Sequence, residues 1–140
     1  MKAPRKTRPV RRGTAFVAIR ADGAVLLRRR PLKGLLGGML EAPSTEWLAS
    51  SMSRAGTEGE APFPAKWRRI GGAVNHTFTH FQLELEVFLA LNVVPGALPQ
   101  GCVWYPRDAL RDEALPSVMR KVLAHALPQD ASSAPRAPRL

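Results

Sequence analysis

The strongest constraint on the fold is a strict alternation of side chains over residues 81 to 87, FQLELEV, whose apolar positions continue to Leu89. One face of an extended chain would carry the apolar members of this run, Phe81, Leu83, Leu85, Val87 and Leu89. The other face would carry the polar members, Gln82, Glu84 and Glu86. This two-residue period predicts a β-strand with one face in a hydrophobic core and the other in solvent.

The segment just before this strand, His76-Thr77-Phe78-Thr79-His80, breaks the pattern. Continued backward, the alternation would turn the two threonines toward the core and the phenylalanine toward solvent, which is the wrong arrangement for a strand interior. Residues 75 to 80 are therefore expected to form a loop or strand end whose side chains serve a ligand. The alternative, histidines that cap and pack at a strand end, remains open at this point.

A metal site is not expected in this segment. His76 and His80 would be about 13 Å apart on an extended strand, at about 3.3 Å per residue, so they could not share one ion. Nucleophilic catalysis is not indicated either, because the sequence has no Gly-x-Ser-x-Gly motif and Cys102 has no evident partner.

Turn and periodicity signals predict the other elements. Ala21-Asp22-Gly23 indicates a β-hairpin, and Arg28-Arg29-Arg30 at its end indicates a solvated rim or an anion-facing one. Further predicted elements are a glycine-rich loop in LKGLLGGMLEAP, a short helix in STEWLASSM capped by Ser44 or Thr45, a polar loop over 53–65, a short strand in CVWYP, and one or two helices over 106–127. The last of these has an apolar stripe of Val118, Val122, Leu123 and Ala126, with Pro116 at a first-turn position. A chain of 140 residues with this order predicts one α+β domain, a mixed sheet with flanking helices.

The net charge of +10 is concentrated at the N-terminus. Residues 1–12 contain no acid and six basic residues, Lys2, Arg5, Lys6, Arg8, Arg11 and Arg12. This segment is either a solubilising tail or a linker that contacts phosphates. We expect residues 1–12 to be a basic arm, residues 13–127 to be the domain, and the Pro/Ala/Ser-rich residues 128–140 to be a disordered tail.

Composition excludes several classes of protein. No apolar run approaches the roughly 20 residues of a membrane span, so no membrane association is expected. A single cysteine, Cys102, excludes an internal disulfide and an iron–sulfur cluster built from this chain alone, and it is typical of a reducing cytoplasm.

The hairpin followed by GLLGGMLEAP resembles the lead into the signature of Nudix pyrophosphohydrolases. In that family a glycine, five residues, a glutamate, seven residues and then Arg-Glu-x-x-Glu-Glu place carboxylates on a helix that holds magnesium. Here the positions six residues beyond the three glycines of this segment are Leu40, Pro43 and Ser44, and no Arg-Glu-x-x-Glu-Glu occurs. The available acids are scattered, at Glu41, Glu46, Glu58 and Glu60. Since hard cations need converging oxygen ligands, the resemblance implies a Nudix-like sheet without its metal site.

A second resemblance, to the C-terminal domain of A/G-specific adenine DNA glycosylases of the MutY type, covers roughly residues 8 to 127. It is carried by four segments, RPVRRGTAFVAI, LLRRRPLKGLLGGMLEAPSTEW, HTFTHFQLELEV and ALPSVMRKVLAHAL. In that family a Phe-Ser/Thr-His loop lies at the oxidised guanine opposite the target adenine. The resemblance implies that Phe78, Thr79 and His80 contact 8-oxoguanine in double-stranded DNA. It also implies that the basic arm, with Arg11 and Arg12, corresponds to the linker from the catalytic domain.

The chemistry of the lesion is compatible with this reading. Oxidation at C8 converts N7 of guanine from an acceptor into an N–H donor and adds a carbonyl. The Thr79 hydroxyl can accept from that donor, Phe78 can pack at a distorted base step, and His80 can donate to a phosphate.

The same resemblance also implies which catalytic motifs this chain should lack. The family cleaves the adenine glycosidic bond with a separate helical domain that holds the catalytic carboxylate, a helix-hairpin-helix and a four-cysteine cluster, and none of these motifs occurs here. We therefore expect no catalytic residue, metal or cofactor in this chain, and a role in base excision repair beside a separate or fused glycosylase domain. The expected location is the bacterial cytoplasm, at the nucleoid. The alternatives are a Nudix hydrolase of nucleoside diphosphate derivatives with a degenerate motif, and a generic basic scaffold.

Overall fold

The computed structural model describes residues 8–49, 61–94, 96 and 98–133, the last five by their backbone alone. Seven strands precede the helices: β1 (Val10–Arg20), β2 (Val25–Arg29), β3 (Leu40–Glu41), β4 (Leu48–Ala49), β5 (Arg68–Thr77), β6 (Gln82–Val93) and β7 (Cys102–Tyr105). A 3-10 helix (Arg107–Asp112) and the helix α1 (Ser117–Ser133) follow. The predicted α+β class is confirmed, and so are the short strand at Cys102 and the two helices after it.

The strands form one mixed sheet with β1 at its centre, in the order β3-β2-β1-β6-β5. β1 runs parallel to β6 from Val10 opposite Gln82, and it forms the predicted antiparallel hairpin with β2. Gly23 closes that hairpin with a φ of +93°, a conformation that glycine adopts without steric cost. β4 pairs with the beginning of β1, and β7 pairs with β2.

The sheet is buried on two faces. On one face, the apolar side chains of β6 from Leu83 to Leu89 lie beneath α1 and are at most 1% exposed, which confirms the predicted alternation. On the other face, Phe88 and Ala90 are also buried, in a second cluster with Phe16 and Trp67. The second half of β6 is therefore covered on both sides, which the alternation alone does not predict.

Helix α1 covers the first face with its predicted stripe. Val118, Val122, Leu123 and Ala126 are all at most 5% exposed. The Pro116 carbonyl accepts hydrogen bonds from the amides of Met119 and Arg120, so the helix begins where the proline predicts. The helix continues through Pro128 to Ser133, and the first part of the predicted tail is therefore helical. Residues 134–140 lie outside the described part of the chain.

Two predicted boundaries near β1 differ from the structure. Residues 10–12 belong to β1, although the sequence assigns them to the arm, because the backbone of β6 offers them parallel pairing partners. The predicted short helix after Ser44 is wrong over residues 44–49, since Ser44 bridges to Ala15 and β4 pairs with Arg11 and Arg12. These residues satisfy their backbone groups by extending the sheet rather than by a helical turn.

Most of the predicted 53–65 loop and the first residues of the arm lie outside the described ranges. Within those ranges, no helix has both the length and the apolar character needed to cross a membrane.

Candidate nucleic-acid interface

The segment that breaks the alternation is the tip of a hairpin between β5 and β6. Thr77 is paired with Gln82, and the Phe78 amide donates to the Phe81 carbonyl over 2.8 Å, which closes a four-residue turn. Residues 75–77 are thus a strand end and residues 78–80 a turn, as the broken alternation predicts. His76 and His80 do not share a strand, so the extended distance of about 13 Å does not apply to them.

Phe78 has a structural role in addition to any contact it makes with a ligand. Its ring is half-buried, lies stacked on Phe81 with 4.9 Å between centroids, and meets the His76 ring edge-on at 4.8 Å. Burial lowers the pKa of His76, with a smaller effect from the charge of Lys121, so the neutral ring is favoured against Phe78. The alternative of packing residues at a strand end therefore describes His76 and Phe78.

Thr79 and His80 are presented differently. Both are exposed, and neither side chain has a hydrogen-bond partner among the described residues. The backbone carbonyl of Thr79 accepts from Nε of Arg8 at 3.0 Å, which ties the start of the described chain to the turn. A hydroxyl and an imidazole on a closed turn can make hydrogen bonds to an external group without first losing internal ones.

Arg11 and Arg12 face different surroundings. The Arg11 guanidinium lies 4.5 Å from the centroid of the Phe81 ring, beside the turn, and is exposed. Nε of Arg12 is 2.9 Å from a carboxylate oxygen of Glu84, in an ion pair whose two side chains are both about half exposed. Of these two arginines, the structure thus places only Arg11 beside the turn.

A cleft of about 290 Å³ adjoins Arg11 and extends the basic surface away from the turn. It is lined by Arg11, Arg30, Leu35, Thr45, Glu46, Trp47 and Leu48. Arg30 lies over the Trp47 ring at 4.4 Å, and the Trp47 ring is 6.0 Å from that of Phe78. The sequence does not predict this role for Trp47, because the predicted helix would have placed it elsewhere.

The arginines at the end of β2 surround a buried acid. Glu41 is 2% exposed, and its carboxylate is 2.8 Å from Nε of Arg28 and 2.7 Å from Nη1 of Arg30. The Ser44 hydroxyl donates a further hydrogen bond to it. Of the two predicted alternatives, a solvated rim is wrong for Arg28 and Arg30, which face an anion, and that anion is the chain's own Glu41 carboxylate. The pairing of Arg28 opposite Glu41 in the sheet is the signal that would have revealed this cluster.

The described residues do not fit the magnesium site of a Nudix hydrolase. They contain no group of three or more His, Cys, Asp or Glu residues that could hold a metal ion. Glu41 is committed to two arginines, Glu46 is exposed on a separate segment, and Glu58 and Glu60 lie outside the described ranges. Cys102 is buried, and burial raises the pKa of its thiol, so a thiolate nucleophile is disfavoured there.

Residues 14–125 match the NUDIX domain, and the chain belongs to that family. It is 34% identical over 134 residues to human adenine DNA glycosylase, a match that covers 86% of this chain and 24% of the relative. The mouse adenine DNA glycosylase is 32% identical over 106 residues, covering 70% of this chain and 21% of the relative. The chain thus spans about a quarter of the length of these relatives.

Solved structures show the same fold. The C-terminal domain of mouse MUTYH, from its complex with human PCNA, matches with a TM-score of 0.68 at 22% identity, covering 93% of this chain and 94% of that one. A MutT protein from Methanosarcina mazei Go1 matches with a TM-score of 0.67 at 18% identity, covering 90% and 99%. The predicted Nudix-like fold and the resemblance to the C-terminal domain of adenine DNA glycosylases are both confirmed.

Proposed function

We propose that this chain is the lesion-recognition module of an adenine DNA glycosylase, which binds double-stranded DNA and reads 8-oxoguanine opposite adenine with the turn at residues 78–80. One observation carries the proposal. The hairpin holds Thr79 and His80 exposed on a closed turn, their side chains free of hydrogen bonds to described residues, next to the guanidinium of Arg11.

In this proposal, the side chain of Thr79 reads the base. Its hydroxyl would accept a hydrogen bond from the N7–H that only the oxidised base carries. Guanine presents an acceptor at N7 instead, so the Thr79 hydroxyl would have to donate its own proton to the base. Guanine also lacks the C8 carbonyl, which is a further hydrogen-bond acceptor of the oxidised base. Discrimination should follow from this difference in donor and acceptor pattern.

In this proposal, basic side chains position the chain on the DNA backbone. Arg11 lies beside the turn and His80 belongs to it, and both can donate to phosphate oxygens, which fixes the register without carrying sequence information. The chain's net charge of +10 adds affinity for any DNA.

Cleavage of the adenine glycosidic bond belongs, in this proposal, to a separate or fused glycosylase domain that would carry its own cofactor. The chain aligns with only 24% of human adenine DNA glycosylase, so the remaining length of that relative has no counterpart here. We expect this chain alone neither to excise adenine nor to hydrolyse nucleotides.

The test is a comparison of dissociation constants for duplexes that differ only in 8-oxoguanine or guanine opposite adenine, at one salt concentration. A base-edge contact of about 1–3 kcal/mol corresponds to roughly 5- to 150-fold tighter binding of the oxidised duplex. Equal affinities would rule out lesion reading by the chain. Magnesium-dependent release of phosphate or pyrophosphate from oxidised dGTP, at about one turnover per second or faster, would favour the hydrolase instead.

A further inference from the structure

A row of neighbouring aromatic rings and guanidinium groups leads from Arg30 to the turn at residues 78–80, the recognition turn of the proposed function. The row begins at Arg30, whose guanidinium lies 4.4 Å from the Trp47 ring centroid, and continues to Phe78, 6.0 Å from Trp47. Phe78 stacks on Phe81 with 4.9 Å between the ring centroids. The row ends at Arg11, whose guanidinium lies 4.5 Å from the centroid of the Phe81 ring. Of these groups, only Phe78, in the middle of the row, is adjacent in sequence to Thr79, so the row includes the residue that precedes the proposed base-reading side chain.

An ion pair with Glu41 holds Arg30, the first group of the row, in place. Glu41 is buried and accepts hydrogen bonds from Arg28 and Arg30, and the Arg30 side chain is only 17% exposed. Nε of Arg30 also donates to the Leu35 carbonyl at 3.0 Å. The guanidinium therefore has little freedom to leave the face of Trp47.

Trp47 itself is positioned by packing and by the Arg30 guanidinium over its ring, not by a hydrogen bond of its indole. Its indole N–H is buried without a hydrogen-bond partner among the described residues, so no hydrogen bond from that group orients the ring. The ring is seated against the backbone of β1 at Gly13, where a Cβ atom would come within 2.8 Å of Cδ1 of Trp47. A side chain at residue 13 and the present position of Trp47 are therefore incompatible.

We infer that Trp47 is a positioning residue for lesion recognition, which holds Phe78, and through it Thr79, in the orientation that reads the base. This inference rests on the proposed function and adds a residue that does not touch the DNA lesion itself. Its physical basis is that a directional hydrogen bond tolerates displacement of only about 0.5 Å, so the support of a recognition side chain decides how well it discriminates.

The decisive comparison is Trp47→Ala against Trp47→Phe and Trp104→Ala. Trp104 is a matched control, since it is also half-buried with an arginine, Arg20, 5.3 Å from its ring, but it lies in the second cluster. Loss of the Trp47–Phe78 contact is expected to reduce the preference for 8-oxoguanine by about three- to tenfold, the range set by one aromatic pair. Affinity for the undamaged duplex should change less than about twofold, because no phosphate contact is removed.

Trp47→Phe should keep most of the preference, because a ring still separates Arg30 from Phe78. Trp104→Ala should keep all of it, even at an equal loss of thermal stability. A Trp47→Ala protein with an unreduced preference, or one that loses affinity for both duplexes equally, would overturn the inference.

A second pair of variants disturbs Trp47 without altering it. Gly13→Ala places a Cβ atom 2.8 Å from Cδ1 of Trp47, its nearest contact, with the Glu46 carbonyl oxygen at 3.2 Å and Cδ2 of Leu85 at 3.3 Å, and we expect the indole to shift. Gly71→Ala adds a methyl group where a Cβ meets no atom within 4 Å, and neither glycine has a positive φ. Gly13→Ala should reproduce the reduced preference of Trp47→Ala, and Gly71→Ala should not. Identical binding by the two glycine variants would also overturn the inference.

Hydrogen exchange separates failure of this inference from failure of the proposed function. The Phe78 amide, bonded to the Phe81 carbonyl, should exchange faster in Trp47→Ala than in Trp104→Ala. If the unmodified chain shows no preference for 8-oxoguanine, the proposed function fails, and the exchange rate alone then decides whether Trp47 supports the turn. Equal exchange in the two variants would exclude that support.

Discussion

Arg11 and Arg12 are consecutive residues of β1 whose side chains leave the sheet on opposite faces. Arg11 lies over Phe81 on the face covered by α1, whereas Arg12 is paired with Glu84 on the other face. Adjacent residues of a strand always diverge in this way, so two cations that look equivalent in the sequence have different surroundings. Of these two arginines, only Arg11 combines exposure, freedom from an acidic partner among the described residues, and contact with Phe81 beside the turn at residues 78–80.

The first prediction follows from this divergence. Arg11→Ala should weaken binding to damaged and undamaged duplexes alike, and should reduce the slope of log K against log salt by about 0.9, the value for one phosphate contact. Arg12→Ala should have a smaller effect, because Glu84 already neutralises Arg12. Salt titrations of the two variants provide the measurement, and equal slopes would contradict the assignment of Arg11 to a phosphate.

The second prediction concerns the arm. Deletion of residues 1–7 removes Lys2, Arg5 and Lys6 but keeps Arg8, which is bonded to the turn, and β1, which begins at Val10. Thermal stability should not change. The salt slope should fall by up to about 2.7 if all three cations meet phosphates, at about 0.9 each. An unchanged slope would show that the arm only solubilises the chain.

The sequence predicts the parts of the fold that depend on local pattern. The alternation of β6, the Asp-Gly hairpin and the stripe of α1 are properties of neighbouring residues, and each appears in the structure as predicted. Local pattern predicts a helix instead of the observed strand at Leu48–Ala49, because its pairing partners, Arg11 and Arg12, are far away in the sequence. The same limit applies to Phe88, whose burial depends on Phe16 and Trp67.

The candidate site also has one part that local sequence pattern predicts and one part that depends on contacts between distant residues. The broken alternation before Phe81 is visible in the sequence and correctly indicates a turn with exposed polar side chains. The contact of Trp47 with Phe78 is not visible in the sequence, because it depends on the pairing of β4 with β1. The burial of Glu41 is equally non-local, since two arginines from another strand compensate its charge.

The third prediction tests that buried charge. Glu41→Gln leaves Arg28 and Arg30 without their carboxylate, and should lower the free energy of unfolding by about 2–3 kcal/mol, less than for a fully buried pair because both arginines are partly exposed. Glu84→Gln is the matched control on an exposed pair, and should cost at most about 1 kcal/mol. Urea unfolding of both variants provides the measurement. Equal losses would indicate that burial of Glu41 adds nothing to its pair.

The fourth prediction concerns pH. Burial and the charge of Lys121 lower the pKa of His76 in the folded chain, while the unfolded chain has the ordinary value of about 6.5. The unfolded state therefore binds the proton more readily, and the free energy of unfolding should fall as the pH is lowered below about 6.5 toward the folded-state value. His76→Gln should reduce this pH dependence in urea unfolding between about pH 7.5 and 5. An unaltered dependence would exclude His76 as its source.

The fifth prediction concerns Thr79, the residue to which the proposal gives base reading. Thr79→Val keeps the branched shape and removes the hydroxyl, which has no hydrogen-bond partner among the described residues, so stability should be unchanged. The preference for 8-oxoguanine over guanine should fall by about 1–3 kcal/mol, the size of one base-edge contact, while affinity for the undamaged duplex stays constant. His80→Ala should instead weaken binding to both duplexes to a similar extent, because a phosphate contact is indifferent to the base. Melting temperatures and two binding curves for each variant distinguish these roles, and a Thr79→Val chain with full lesion preference would exclude base reading by the hydroxyl.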